Sequence, residues 1–150
     1  MGKRYRIAVG GLIPRGAKVL LHHRTDYDMW DLPSGGMEAG ETIVQALQRE
    51  ILEETGYHVR PIRLVGVYHN FGKEIIFFLF LVRRLSGKLR LNPEADAFQY
   101  FSYRALPKNL PPKKRQRIQD FFRKPSVVTV RVQRSVSSIQ HFSFRKKRKT

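Results

Sequence analysis

The stretch from Gly35 to Tyr57 constrains this chain most, because it fixes glycines and charged residues at positions that core packing does not require. It reads G-x5-E-x7-R-E-I-x-E-E-x-G-Y, and its fixed polar and glycine positions are Gly35, Glu41, Arg49, Glu50, Glu53, Glu54 and Gly56. At about 6% usage per residue type, so many matches arise by chance with a probability on the order of 10⁻⁹ per register. The pattern is therefore a functional motif.

The motif contains the signals of one helix. Thr42 and Gln45 form a T-x-x-Q capping box, in which each side chain satisfies a free backbone donor at the helix start. Gly56 stands where a helix ends in the left-handed conformation that glycine adopts without strain. Between them, apolar residues recur at four-residue steps and form a seam that faces a core: Ile43, Leu47 and Ile51. The sequence predicts a helix over residues 43–55.

Three acids of this helix fall on one face. Glu53 and Glu54 follow Glu50 by three and four residues, a spacing at which side chains meet and like charges destabilise a helix. Convergent carboxylates supply the oxygen ligands that a hard divalent cation needs. The alternative is a solvated acidic face, but the glycines, the cap and the arginine in register favour a metal. Arg49 can reach Glu53 or Glu41 and orient a ligand, or form an ordinary surface pair.

This motif resembles the signature of the Nudix hydrolases in every fixed position. One departure is Tyr57, where an aliphatic residue is usual, and it places an aromatic ring at a core-facing site. The resemblance extends to Trp30–Gly36 (WDLPSGG) before the motif and to Glu94–Pro107 (EADAFQYFSYRALP) after it. It covers about residues 5–122.

The resemblance implies an enzyme that cleaves a pyrophosphate bond in a nucleoside diphosphate linked to another group. It implies Mg²⁺, with Mn²⁺ as an alternative, bound by Glu50, Glu53, Glu54 and the backbone carbonyl of Ser34. Either one of these acids or Glu94, which lies outside the motif, would act as the general base. As a loop acid, Glu94 has the alternative of being merely solvated.

The resemblance also implies an α/β fold in which a mixed sheet is sandwiched between helices. Apolar alternation predicts five strands, at residues 5–13, 17–24, 58–68, 74–84 and 97–103. The first two are expected on either side of a Pro14-Arg15-Gly16 turn, and the next two form a pair. Pro111-Pro112 begins a second helix that continues to about Phe122.

Composition excludes several classes of site. The chain has 150 residues and no cysteine, so disulfides and zinc–thiolate sites are excluded. The apolar run Ile7–Ile13 is short and broken by glycines, which favours a strand over a signal peptide. No run reaches transmembrane length. We expect a cytoplasmic protein that does not contact a membrane.

The positive charge is concentrated near the C-terminus. The net charge is +17; residues 123–150 hold nine Lys/Arg and no acid, which leaves +8 for residues 1–122. We therefore predict a Nudix domain over 1–122 and a basic C-terminal segment over 123–150 that is extended or partly disordered. Within its middle, Val127–Phe144, the alternation of Val128, Val130 and Val132 is compatible with one short strand. Such a segment favours contact with RNA or DNA; a merely solubilising tail is the alternative. Since every candidate catalytic residue lies at or before Glu94, the segment is expected to be separable from catalysis.

The sequence constrains the identity of the substrate less than it constrains the reaction and the metal. The stretch Arg24–Gly36 resembles Nudix enzymes that act on 5′-triphosphate RNA or dinucleoside polyphosphates. Arg24 would then contact a phosphate and Trp30 a base, whereas the alternatives are a surface charge and a core side chain. The pair His22-His23 has no carboxylate at ligand spacing, which indicates a structural or solvent-facing role.

Three hypotheses follow. The first is a magnesium-dependent Nudix hydrolase of a nucleoside diphosphate derivative. The second is a pyrophosphohydrolase of RNA 5′ ends or of dinucleoside polyphosphates. The third is a nucleotide or nucleic-acid binding module without turnover, which the intact acid set disfavours.

Overall fold

The computed structural model describes residue 2 and residues 4–134. Its helices are α1 (Ile43–Thr55) and α2 (Pro112–Arg123). Its strands are β1 (Arg6–Leu12), β2 (Pro14–Arg15), β3 (Lys18–Arg24), β4 (Trp30–Asp31), β5 (Ser34–Gly36), β6 (Tyr57–Asn70), β7 (Ile75–Gly87), β8 (Ala95–Ser102) and β9 (Thr129–Gln133).

The strands form two sheets. The five-stranded sheet has the order β5-β1-β7-β6-β9 and is mixed, because β1 pairs with β7 and β6 pairs with β9 in parallel. In the second sheet, β3 lies between β4 and β8 and also pairs with β2. The mixed α/β architecture is confirmed. The expectation of one sheet is wrong, because β1 and β3 on either side of the Pro14 turn enter different sheets.

The helices cover opposite faces of the sheets. Leu20 of β3 packs in the core cluster that contains Leu47 and Ile51 of α1. Its neighbours Val19 and Leu21 pack in the other cluster, which contains Ile118 of α2. Because successive side chains of a strand point to opposite faces, this alternation places the strands between the two helices and confirms the sandwich.

Both predicted ends of α1 are confirmed. The hydroxyl of Thr42 accepts a hydrogen bond from the Gln45 backbone N–H at 3.1 Å, and the Gln45 side chain accepts one from the Thr42 N–H at 2.9 Å. Gly56 ends the helix with φ 88°, in the left-handed region. Tyr57, which follows, is buried as expected. Local signals therefore fix α1, and with it the positions of the acids.

The predicted short strand near the C-terminus is confirmed as β9, which pairs in parallel with Gly66–Asn70 of β6. Gln133 is buried against α2, and Arg131 donates to both carboxylate oxygens of Asp120. Thr129–Gln133 therefore belong to the five-stranded sheet, whereas the separability of the basic segment from catalysis stays a prediction. The boundary near residue 122 stays a prediction, and the basic run at 145–149 lies outside the described residues.

No helix in the described part of the chain is long and apolar enough to cross a membrane.

Candidate active site

Arg49 forms hydrogen bonds with several other residues of the motif. Its guanidinium donates to both carboxylate oxygens of Glu41, at 2.7 and 2.9 Å, and to the Gly36 carbonyl at 3.0 Å. It also donates to Glu50 at 2.9 Å, whereas its contact with Glu53 is longer, at 3.4 Å. The hydrogen bonds from Arg49 lower the pKa of Glu41 to about 2. Arg49 therefore reaches both predicted partners, but Glu41 is the stronger one, since it is bound bidentately.

Glu54 is the most deeply buried acid of the motif. Its side chain is 9% exposed and accepts a hydrogen bond from the Ser34 backbone N–H at 3.1 Å. Burial, and next the nearby Asp31 carboxylate, raise the pKa of Glu54 well above its usual value, although the Ser34 hydrogen bond opposes this. The His22 Nδ1 atom lies 3.6 Å away, too far for a hydrogen bond. Burial also lowers the pKa of His22.

Two cavities open beside these acids. The smaller, of about 560 Å³, is lined by Ser34, Glu50, Glu54, Glu94, Arg24 and Asp31, among others. The larger, of about 980 Å³, shares Arg24, Ser34, Gly35, Glu50 and Lys114 with the smaller cavity and continues toward β7 and α2. The acids thus line the smaller of two adjacent cavities, and the size of the larger one suits a nucleotide.

Most predicted site residues meet in the smaller cavity: Arg24, Ser34, Gly35, Glu50, Glu54 and Glu94. Glu53 does not line it, and its side chain is 56% exposed. Within residues 4–134, no three His, Asp or Glu side chains stand close enough together to hold a metal ion. The three predicted carboxylates do not converge on one point in this side-chain arrangement, and their assignment as metal ligands stays a prediction. Arg49 draws Glu50 toward itself and Ser34 draws Glu54, so a shared ion requires side-chain rotation.

Arg24 and Trp30, the two predicted substrate contacts, differ in position. Arg24 lines both cavities, forms a salt bridge with Asp26 and lies 3.8 Å from Asp31. Trp30 instead packs edge-to-face on His23 and Phe101, at centroid distances of 5.2 and 4.9 Å. This packing agrees with the core alternative for Trp30. A phosphate contact by Arg24 stays a prediction that its position supports.

The two histidines His22 and His23 are buried and have carboxylate neighbours that the sequence analysis did not identify. His23 is buried, and its ring nitrogens lie 2.7 Å from Asp96 and 2.8 Å from Asp28. His22 is buried beside Glu54. The solvent-facing alternative is therefore wrong for both. Asp28 is only five residues from His23, whereas Asp96 and Glu54 come from distant parts of the chain, so no short sequence pattern could have indicated those two.

Sequence reasoning also missed the pair Asp31–Lys114. The Lys114 ammonium lies against one carboxylate oxygen of Asp31, and both groups line the smaller cavity. The other Asp31 oxygen is buried and has no hydrogen-bond partner among the described residues. The only sequence signal was an acid inside the Trp30–Gly36 stretch.

The loop that carries Glu94 is tied to α1 by Asn92. The Asn92 side chain donates to the Glu54 backbone carbonyl at 2.7 Å and accepts from the Glu94 backbone N–H at 2.9 Å. The Asn92 side-chain amide therefore fixes the backbone of Glu54 relative to the backbone of Glu94, although these two residues are 40 positions apart in the sequence.

The donor set suits a hard cation. Every predicted ligand is an oxygen, as Mg²⁺ and Mn²⁺ prefer. Burial raises the pKa of Glu50 despite the hydrogen bond from Arg49, and Glu54 shows the same effect more strongly. A bound divalent cation would relieve this crowding of buried carboxylates, since buried charge without compensation is unfavourable.

Comparison with known proteins agrees with this geometry. A family model described as the NUDIX domain matches residues 4–123. A solved NUDIX hydrolase from Nitrosomonas europaea superposes with a TM-score of 0.77 at 22% identity, covering 89% of this chain and 82% of that one. At that identity the likeness establishes the fold.

Three curated relatives carry different activities in their names. The human 8-oxo-dGDP phosphatase NUDT18 is 50% identical over 68 residues, which is 45% of this chain but only 21% of that protein. The ADP-ribose pyrophosphatase of Methanocaldococcus jannaschii is 33% identical over 119 residues, covering 71% of this chain and 70% of that protein. The RNA pyrophosphohydrolase of Helicobacter pylori is 31% identical over 140 residues, covering 76% and 88%.

Proposed function

Because this chain belongs to the Nudix hydrolase family, we propose that it hydrolyses the pyrophosphate bond of a nucleoside diphosphate derivative with the help of Mg²⁺. The observation that carries the proposal is the placement of Glu50, Glu54 and Glu94 around one cavity that also holds Arg24 and the Ser34 backbone.

The carboxylates and the arginine have different tasks. Glu50, Glu53, Glu54 and the Ser34 carbonyl would hold the cation after the side-chain rotation described above. When bound, Mg²⁺ neutralises the diphosphate and lowers the pKa of the attacking water. Arg24, at the wall that the two cavities share, is placed to bind a phosphate oxygen.

We assign the general base to Glu94 first, with Glu53 and Glu54 as alternatives. Glu94 lines the cavity and is exposed, so it can accept a proton and release it to solvent. Glu54 is less suited, because one of its oxygens already accepts the Ser34 N–H.

RNA 5′ ends are a second candidate substrate. The H. pylori relative that bears this activity in its name is matched over most of its length. The Arg24–Gly36 stretch resembles enzymes of that type as well. A dinucleoside polyphosphate substrate rests on the same stretch alone.

A substrate panel tests the proposal. Nucleotide sugars, ADP-ribose, 8-oxo-dGDP, dinucleoside polyphosphates, nucleoside triphosphates and triphosphorylated RNA would be incubated with the full chain, with Mg²⁺ or with EDTA. Release of monophosphate, phosphate or pyrophosphate from at least one substrate in Mg²⁺ alone is expected. Binding without turnover across the panel would favour the non-catalytic module instead.

A further inference from the structure

Three basic side chains of α2 line the larger cavity: Lys113, Lys114 and Arg117. Lys113 and Arg117 are 6% and 5% exposed, so both are more than nine-tenths buried. A buried cation is unfavourable unless an anion or a set of acceptors compensates it. The partners of these two side chains are therefore informative.

Among the residues that the structure describes, only one of the three cations has a carboxylate partner. Lys114 is paired with Asp31. In the described part of the chain, no carboxylate lies within salt-bridge distance of Lys113 or Arg117. Asp31 attracts Arg117 from farther away, but it is already engaged by Lys114.

The partners of Lys113 and Arg117 are neutral. The Lys113 ammonium donates to the Asn70 side-chain oxygen at 2.6 Å. Arg117 donates from Nε to the Gln133 side-chain oxygen at 3.0 Å, and its guanidinium stacks over the Phe77 ring at 4.1 Å. These contacts satisfy donors and fix both side chains, but they leave two positive charges uncompensated beside a cavity.

The neighbourhood is cationic as a whole. Burial, followed by the charges of Arg117, Lys73 and Lys114, lowers the pKa of Lys113. Burial lowers the pKa of Arg117 to about 10, which still leaves it charged at neutral pH. Lys73 also lines this end of the cavity. An anion placed here would relieve the mutual repulsion.

The cationic end and the acidic end lie on different sides of the shared wall. Glu54, Glu94 and Asp31 line the smaller cavity, whereas Lys73, Lys113 and Arg117 line the larger one. A substrate whose pyrophosphate lies at the acids would extend past Arg24 toward α2. The part of the substrate that is distant from its pyrophosphate would then contact Lys73, Lys113 and Arg117.

We propose that the Lys113–Arg117 end of the larger cavity binds a phosphate that the substrate carries apart from the pyrophosphate that is cleaved. Such a phosphate is present in a nucleotide with a 3′-phosphate and in the first phosphodiester of an oligonucleotide 5′ end. Several cations around one position suit the charge of a phosphate. The assignment rests on the proposed function for the placement of the pyrophosphate, but it concerns binding alone.

Binding without metal tests the subsite directly. Isothermal titration of the full chain in EDTA would compare adenosine 3′,5′-bisphosphate and the dinucleotide pApA with AMP. We expect the wild type to bind at least one of the first two about tenfold or more tightly than AMP. The bisphosphate and pApA separate a free 3′-phosphate from a phosphodiester. Equal affinity for all three compounds overturns the proposal.

Matched variants separate a specific subsite from general charge. Lys113→Met removes one buried cation at similar length, and Arg123→Met removes one exposed cation from the end of the same helix. The preference over AMP should fall to about twofold or less in Lys113→Met and persist in Arg123→Met. A preference that falls equally in both variants, or in neither although both remain folded by thermal melting, contradicts the subsite.

The binding experiment and the hydrolysis panel can fail separately. If the hydrolysis panel shows no turnover, the bisphosphate preference in EDTA still tests the subsite. If turnover occurs and the preference is absent, the hydrolase assignment stands and the subsite fails.

Discussion

The Glu50 carboxyl group occupies the space that a side chain at Gly35 would fill. A Cβ atom built on Gly35 would lie 2.1 Å from Glu50 Cδ and 2.3 Å from both carboxylate oxygens. Gly35 pairs with Val9 in the sheet, so its backbone cannot easily retreat. The first glycine of the motif is thus required because α1 and β5 bring a proposed metal ligand against it, rather than for a turn.

Gly35→Ala should therefore displace Glu50 and weaken metal-dependent activity. A displaced ligand costs about 10–100-fold in metal affinity or activity. Gly36→Ala is the matched control, because a Cβ at Gly36 meets no atom within 4 Å. Initial rates against Mg²⁺ concentration would show the difference. Equal activity in the two variants would mean that Glu50 can move without consequence.

Asn92 should act as a positioning residue for Glu94. Asn92→Ala removes the bonds to the Glu54 carbonyl and the Glu94 N–H, and we expect kcat to fall by about tenfold. Since the cation ligands remain, the Mg²⁺ concentration for half-maximal rate should stay close to that of wild type. Asn109→Ala is the control, because the Asn109 side chain donates to two oxygens of Asp28, each at 3.3 Å, and not to Glu54 or the loop of Glu94. A shifted Mg²⁺ dependence with unchanged kcat would argue against this role.

The sequence predicted α1 to the residue, because the capping box, the apolar seam and Gly56 all act over three or four residues. It missed β4 and β5, which are two and three residues long and exist only through pairing with β3 and β1. Strands of that length have no periodicity of their own.

The candidate site likewise contains residues that could be predicted from the sequence and residues that could not. Arg49 and its acids could be predicted, since most of them share one helix. The cations of α2 could not, because lysine and arginine on a helix indicate a solvated face unless their burial is known. Their only signal was spacing, as Lys113 and Arg117 are one turn apart and Ile118 follows.

Acid stability should depend on the Glu41–Arg49 pair. The pKa of Glu41 is lowered to about 2, so its contribution is complete above the unfolded value near 4.5 and is lost as the pH falls toward 2. The stability difference between wild type and Glu41→Gln should thus be constant above about pH 5 and shrink below about pH 4. Denaturant unfolding at several pH values measures it. A pH-independent difference would mean that the carboxylate charge is immaterial.

Removal of β9 should destabilise the domain. Gln133 makes three side-chain hydrogen bonds to residues of α2, worth about 3 kcal/mol together. We expect deletion of residues 124–150 to lower the free energy of unfolding by at least about that amount, whereas deletion of 135–150 should leave it near wild type. Equal stability of the two truncations in urea would contradict the role of β9.

The shorter truncation also tests nucleic-acid binding. It removes Arg145–Lys149, five basic residues, and no acid. If about half of them contact phosphates, the log–log salt slope for single strands should shrink by about 2. Sequence preference should not change. An unchanged slope would mean that these charges are only solvated.

The most direct test of the metal-dependent hydrolase is the Mg²⁺ dependence of the initial rate in wild type and Glu54→Gln. The substitution is nearly isosteric and removes the buried charge of a proposed ligand, so the variant should fold. We predict a saturable Mg²⁺ dependence for wild type, and less than about a tenth of its rate for the variant at saturating Mg²⁺. Full activity of Glu54→Gln, or wild-type turnover that persists in EDTA, would contradict the assignment of these acids to a metal site.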